Sequence, residues 1–265
     1  MFSWLYDLPN WGMFLLFVVV ALVVCWGSVF LLRPVMDRLF GAEDREQRNS
    51  LLDLVLSGTG LFYGLLLGLI AAATYTTYSE AEAGVASEAT ALSALYRDVS
   101  AYPEPLRSRL RGDVENYVDT LINVAWPNQQ RGETTSETTD LVDSIQRTMT
   151  TFEPATPGQE ILHAESYAQF NTFVEARRKV MNAVSASLPA ALWWVLIGGA
   201  LINLLLMSML AVERLGPHLV ISGLFAVFIA MMIFLIVAMD NPFLGEFSVT
   251  PAPFEQLQHT LFGRA

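Results

Sequence analysis

The sequence predicts an all-α membrane protein with four transmembrane helices and a helical-bundle insert between the second and the third. Three observations carry this. The 265-residue chain is 53% hydrophobic and only 15% charged, against roughly a quarter charged in soluble chains. Four long uncharged runs account for the apolar excess. The net charge is nonetheless −11, so the charges are concentrated in a minority segment. That acidity leaves no basic surface for phosphates and excludes nucleic acid as a partner. A single cysteine, Cys25, excludes an internal disulfide framework and a multi-cysteine metal site.

The first run, Trp11 to Leu32, carries no charge and is long enough to cross about 30 Å of hydrocarbon at about 1.5 Å per residue. It lacks a basic leader region and a small-residue cleavage site, so it reads as a retained span rather than a signal peptide. The second run is Leu54 to about Tyr75, the third Leu188 to Val212 and the fourth Leu219 to Met239. Lipid offers backbone groups no partner, which makes each run a helix. Trp4, Tyr6, Trp11, Tyr75, Tyr78, Trp193 and Trp194 lie near the run ends, where aromatic anchors belong. The fourth run stops at MDNPFLGEF: Pro242 lacks a donor and restricts Asn241, and Gly245 permits a tight turn. Asp240 there opposes the helix dipole, so a partner on the bundle or a neighbouring subunit is expected for it.

The expected organisation is residues 1–78 (two membrane helices and their loop), 79–187 (an acidic extramembrane bundle) and 188–265 (two membrane helices and a tail). The insert holds sixteen acidic against nine basic residues. Val85, Ala89, Leu92, Tyr96 and Val99 recur at helical spacing, as do Leu106, Leu110, Val114, Tyr117, Leu121 and Val124. Pro103 and Pro105 separate the two stretches, and Trp126-Pro127 is expected to close the second. Leu141, Ile145, Met149 and Phe152 mark a short third helix, and a fourth is expected from about Gln159 into the third span. The outer helices of the bundle are expected to continue spans two and three out of the bilayer.

Sidedness rests on loop charge. Arg33, Arg38, Arg45, Arg48 and Arg214 flank one side; Arg97, Arg177, Arg178, Lys179 and Arg264 flank the other. The counts tie, but the first set sits in much shorter loops, which favours that side as cytoplasmic. Both termini and the insert are then outside, in a multi-pass protein of the cell (inner) membrane.

Catalytic and cofactor signatures are missing. His163, His218 and His259 are scattered, and no Gly-x-Ser-x-Gly or Walker loop occurs. GTGLFYG (58–64) lies inside a span rather than in a βαβ unit, so it is no dinucleotide loop. Glu88 and Glu115 read as members of a solvated acidic face. No enzyme activity, metal or cofactor is expected. Gly60, Gly64 and Gly68 share one face of the second span and permit close helix approach, within a subunit, between subunits or along a pore. Asn203 is the strongly polar side chain near the middle of a span and either bonds a neighbouring helix or serves permeation. Ser57 and Thr59 add hydroxyls. No Asp, Glu, Lys or Arg lies deep in any span, which disfavours a proton relay but not a passive anion path.

Several motifs, in this order and spacing, resemble those of the bacterial bestrophin-like domain family: GLFYGLLLGL (60–69), EATALSALYRD (88–98), WP (126–127), RR (177–178), LPAALW (188–193), DNPFLG (240–245) and VTPAPF (249–254). The residues matched include Glu88, Tyr96, Arg97, Trp126, Pro127, Arg177, Arg178, Pro189, Trp193, Asp240, Pro242, Phe243 and Gly245. Ala125 departs from the acidic residue of the family before Trp-Pro, so no carboxylate role is carried there. The resemblance implies an oligomeric anion channel whose second span lines the pore, and it implies a cytosolic insert, opposite to the charge argument. Two functions follow as expectations: a homo-oligomeric channel for small anions in the lipid bilayer, or a non-conducting scaffold or sensor whose acidic bundle binds an envelope partner or ligand.

Overall fold

The computed structural model describes residues 3–40, 45–133, 135–210, 212 and 214–263. After a 3-10 turn at Ser3–Asp7, helix α1 runs Asn10–Phe40 and α2 runs Arg45–Val99. Then come α3 (Leu106–Thr120), a π turn (Leu121–Ala125), α4 (Trp126–Gln129), α5 (Glu137–Thr150) and α6 (Pro157–Val184). The chain continues through α7 (Ala190–Met209), α8 (Leu215–Asp240) and α9 (Ala252–Leu261). Among the described residues there is no strand. Four helices are long and apolar enough to cross a membrane, namely α1, α2, α7 and α8. The four expected spans and the all-α class are therefore present.

The chain forms two compact units, Met1–Thr76 with Ser187–Asp240, and Thr77–Ala186 with Asn241–Ala265. Residues 241–265 thus cluster with the insert, whereas the sequence division grouped them with the last two spans. Helix α2 has 55 residues and so is roughly 80 Å long at about 1.5 Å per residue, well over twice the hydrocarbon thickness of about 30 Å. The other expected continuation does not occur: α6 ends at Val184 and α7 starts at Ala190. Pro189 caps α7 at ψ 140°; it removes a donor and holds Leu188 away from helical geometry.

In the membrane unit α1 packs against α7 and α8. Cys25, Ala21, Ala200, Ala226 and Ala230 are buried there, small residues that bring the helices close. Trp26 lies across Gly223 and donates from its indole to Leu219 O at 3.0 Å. Tyr6 in the 3-10 turn donates to Val237 O at 2.9 Å, tying the start of the chain to α8.

The second unit has its own core, built from the apolar stripes of α2, α3, α5 and α6, with Phe254 and Leu257 of α9 added to it. Tyr102, Phe152 and Tyr167 surround the His163 ring, and the Tyr102 hydroxyl lies 2.7 Å from His163 Nδ1. Trp126-Pro127 does not close its helix as expected. The backbone stays helical to Gln129, because the turn before it widens: Trp126 N donates five residues back, to Leu121 O. A widened turn of this kind accommodates the missing Pro127 donor without ending the helix.

Candidate functional site

The sequence singled out the glycine face of the second span, and the structure distributes those residues unevenly. Tyr63, Leu67, Ile70 and Thr74 form the buried side of α2. Gly60 is half-buried, and a Cβ placed there would meet Asn203 Oδ1 at 3.7 Å. Gly64 and Gly68 are exposed, with nothing within 4 Å of an added Cβ. Leu61, Phe62, Leu65 and Leu69 beside them are exposed as well. Within one chain, therefore, the close approach that Gly64 and Gly68 permit is unused.

Asn203 is buried on α7, where its Nδ2 donates to Gly199 O of its own helix at 2.9 Å. Its Oδ1 lies 3.5 Å from the Thr59 hydroxyl, which itself donates to Val55 O at 2.8 Å. Asn203 thus faces the neighbouring helix α2, with its donor retained by its own. Ser57 is exposed. Sequence reasoning missed the firmest α2–α7 contact. The Tyr63 ring lies on Gly199, and its hydroxyl donates to Leu196 O at 2.9 Å. The Gly198-Gly199 pair was a visible signal, but nothing local identifies the ring that fills it.

Asp240 is buried at the end of α8, and its Oδ1 accepts from Leu188 N at 2.6 Å. The Leu188 amide is a partner within its own chain, alongside the expectation of one on the bundle or a neighbouring subunit. It lies two residues before α7, next to Pro189, where the chain enters that helix. An amide that precedes a helix has no intrahelical acceptor, and a carboxylate satisfies it strongly. Trp193 is partly buried one turn into α7.

Two of the motifs turn out to be one structure. In the second unit Trp126 stacks edge-on against Phe243 with centroids 5.7 Å apart, and its indole donates to Val249 O at 3.3 Å. Phe254 lies on the same indole at 6.4 Å. Val249 N closes the loop on Pro242 O at 2.8 Å, and Gly245 at φ 76° makes the turn that only glycine adopts freely. Gln130 Nε2 donates to Ser248 Oγ, and Gln258 Nε2 to Asp119 Oδ1 at 2.6 Å. The DNPFLG and VTPAPF segments are thus the strap that seats α9 over the Trp126 turn. Ala125 is buried within the π turn, where an acidic side chain would need its own partner.

The polar centre of the bundle brings Glu88, Tyr117 and Arg177 together. Glu88 is 2% exposed, which corrects the solvated-face reading. It sits three residues after Val85 and four before Leu92, on the buried stripe of α2, so its position in the pattern outweighs its charge. The Tyr117 hydroxyl donates to Glu88 Oε1 at 2.5 Å. Arg177 lies 5.7 Å from the Tyr117 ring centroid, and its Nη2 donates to the Thr138 and Thr139 hydroxyls, each at 3.0 Å. Burial pushes the Glu88 carboxyl up to about 7, against the opposing pull of the Tyr117 hydrogen bond and the Arg177 charge. Burial, then the Glu88 charge, holds the Tyr117 phenol well above its ordinary value. Glu115 is not freely solvated either, since it accepts from Tyr96 at 2.8 Å while Arg111 donates to the same Tyr96 oxygen.

Arg178 is exposed beside the buried Arg177, and Pro127 is exposed in α4. Arg97 is exposed on the rim of a groove of about 500 Å³ in the second unit, between α2 and α9. Thr90, Ser93, Gln256 and Thr260 line it with small polar groups. In the membrane unit a second hollow, of about 350 Å³, is lined by apolar side chains such as Leu16, Val20, Trp193 and Leu204. Among the described residues no group of acidic, histidine or cysteine side chains could hold a metal.

Long apolar helices with a separate helical unit inserted after the second define a multi-pass membrane protein of bestrophin type. The sequence matches the Bestrophin-like domain over residues 12–254, and the chain belongs to that family. Among curated proteins none matches it. Solved structures share the fold at low identity. A crystal structure of a bacterial bestrophin homologue variant from Klebsiella pneumoniae superposes with a TM-score of 0.69 at 11% identity, covering 94% of this chain and 99% of its own. Another variant of that homologue gives 0.66 at 14% identity, covering 94% and 98%. A variant described only as a membrane protein gives 0.68 at 12% identity, covering 94% and 97%.

Proposed function

We propose that the chain assembles with copies of itself into a membrane channel for small anions, with the Gly64–Gly68 face of α2 turned toward the neighbouring copies and the conduction path. The observation that carries this is the emptiness around those two glycines in a single subunit. A glycine pair in a span is favoured where another backbone comes close, and one chain supplies none. Membership of the bestrophin-like family and the lack of Asp, Glu, Lys or Arg deep in the spans support a passive path. Purified protein in liposomes should pass chloride or bicarbonate, and Gly64→Leu should alter subunit assembly or flux. Folded protein with no flux above empty liposomes overturns the reading.

The groove between α2 and α9 favours the second function, a scaffold or sensor that binds a partner through its bundle. Crosslinking that repeatedly recovers one envelope protein, with Gly64→Leu silent, is its signature. As to sidedness, loop charge density supports a bundle outside the cytoplasm. A cysteine replacing the exposed Glu133 should label with an impermeant reagent in intact cells; labelling only after lysis reverses the orientation.

A further inference from the structure

We propose that Glu88, Tyr117 and Arg177 form a proton-operated latch in the bundle, closed while Glu88 carries a proton and released when it loses it. The three residues come from α2, α3 and α6, and the Thr138 and Thr139 hydroxyls of α5 hold the far side of Arg177. One buried polar centre therefore joins the four principal helices of this unit, set within its apolar core. The titratable groups facing Glu88 are Tyr117 from α3 and Arg177 from α6, and α5 contributes hydroxyls that do not titrate. The Tyr117 phenol does not ionise near neutrality, which leaves Glu88 as the group that switches.

The direction follows from linkage. Closed, the carboxyl is dry and titrates near 7; opened to water, it returns toward its ordinary value of 4.5. The closed form therefore binds the proton more tightly, and raising the pH favours the open form. Those two values give an opening equilibrium that rises roughly tenfold between pH 6 and pH 8.5 and levels off above that. Arg177 does not prevent this. Its attraction already lowers the Glu88 value and does not outweigh burial. The inference is independent of conduction, because it concerns the bundle alone.

Hydrogen–deuterium exchange of the full-length protein in lipid tests it, with labelling times corrected for the intrinsic pH dependence of exchange. Segments 106–120 and 137–150 should lose protection about tenfold between pH 6 and pH 8.5. Glu88→Gln, which cannot ionise, should keep the acid pattern throughout. Infrared difference spectra should show a buried carboxyl losing its proton near pH 7, absent in Glu88→Gln. Tyr117→Phe removes a hydrogen bond that favours the carboxylate, so its midpoint should move to higher pH. If Glu88→Gln does not fold, the infrared midpoint and its shift in Tyr117→Phe decide. Equal pH profiles in wild type and Glu88→Gln, or a Glu88 midpoint below pH 5.5, overturn the latch.

Discussion

Replacing Gly199 by alanine tests one of the contacts that join α2 to the rest of the membrane unit. The new Cβ would lie 2.5 Å from Tyr63 Cδ2 and 2.6 Å from Cε2. A carbon pair needs about 3.5 Å or more, so the ring must retreat by about 1 Å. It cannot swing aside cheaply, because its hydroxyl is fastened to Leu196 O at 2.9 Å and the side chain is only 7% exposed. Overpacking of this kind costs about 1–3 kcal/mol, and losing the hydrogen bond costs about 1 kcal/mol more. The expected destabilisation is thus about 2–4 kcal/mol, measured by reversible unfolding in mixed micelles. Gly198→Ala is the matched control, since nothing lies within 4 Å of its added Cβ. Tyr63→Leu should relieve most of the penalty when combined with Gly199→Ala, a coupling that a double-mutant cycle reads directly. Equal stability of Gly199→Ala and Gly198→Ala, or strict additivity with Tyr63→Leu, refutes the argument.

Other substitutions test the remaining parts. Asp240→Ala strips the Leu188 amide of an acceptor and should cost about 1–3 kcal/mol; Asp240→Asn, which keeps an acceptor oxygen, should restore much of it in the same unfolding assay. Trp126→Ala removes the surface on which Phe243 and Phe254 rest and should cost about 3–5 kcal/mol, with exchange protection lost first in residues 249–261. Glu88 has its folded value raised, from 4.5 to about 7. Its favourable contribution is therefore complete below 4.5 and is lost as pH rises through about 7. Glu88→Gln should consequently be more stable than wild type above pH 7, by up to about 3 kcal/mol, and the advantage should vanish below pH 4.5 in denaturation series run at both pH values.

The spans were legible because lipid imposes one rule, long uncharged runs, and the sequence obeys it four times. The stripes of the bundle were legible for a similar reason: Val85, Leu92, Leu110 and Val114 follow the helical period and are buried. The errors arose where one residue type was read without its neighbours. Glu88 was assigned to solvent by its charge, although its place in the α2 stripe put it inside. Trp126-Pro127 was read as a stop by the proline rule, which a single widened turn circumvents. The break at Ser185–Pro189 was signalled by Pro189 but overruled by the expectation of one long helix. The joining of Trp126 to Phe243 and Val249, and of Tyr63 to Gly199, was not legible at all. Such pairings lie more than a hundred residues apart and depend on which helix faces which, which no local pattern encodes.

The strap over Trp126 also fixes an order of events in making the protein. Unit two takes residues from both sides of the last two spans, Thr77–Ala186 and Asn241–Ala265. During synthesis the first segment emerges well before Phe243, Val249 and Phe254 exist to cover the Trp126 indole. Until α8 has been translated and threaded into the bilayer, that apolar surface stays uncovered and open to the wrong partners. Completion of the bundle is thereby a built-in report that all four spans have been delivered, and a chain truncated before Asn241 should be recognised as unfinished by the cell's quality control.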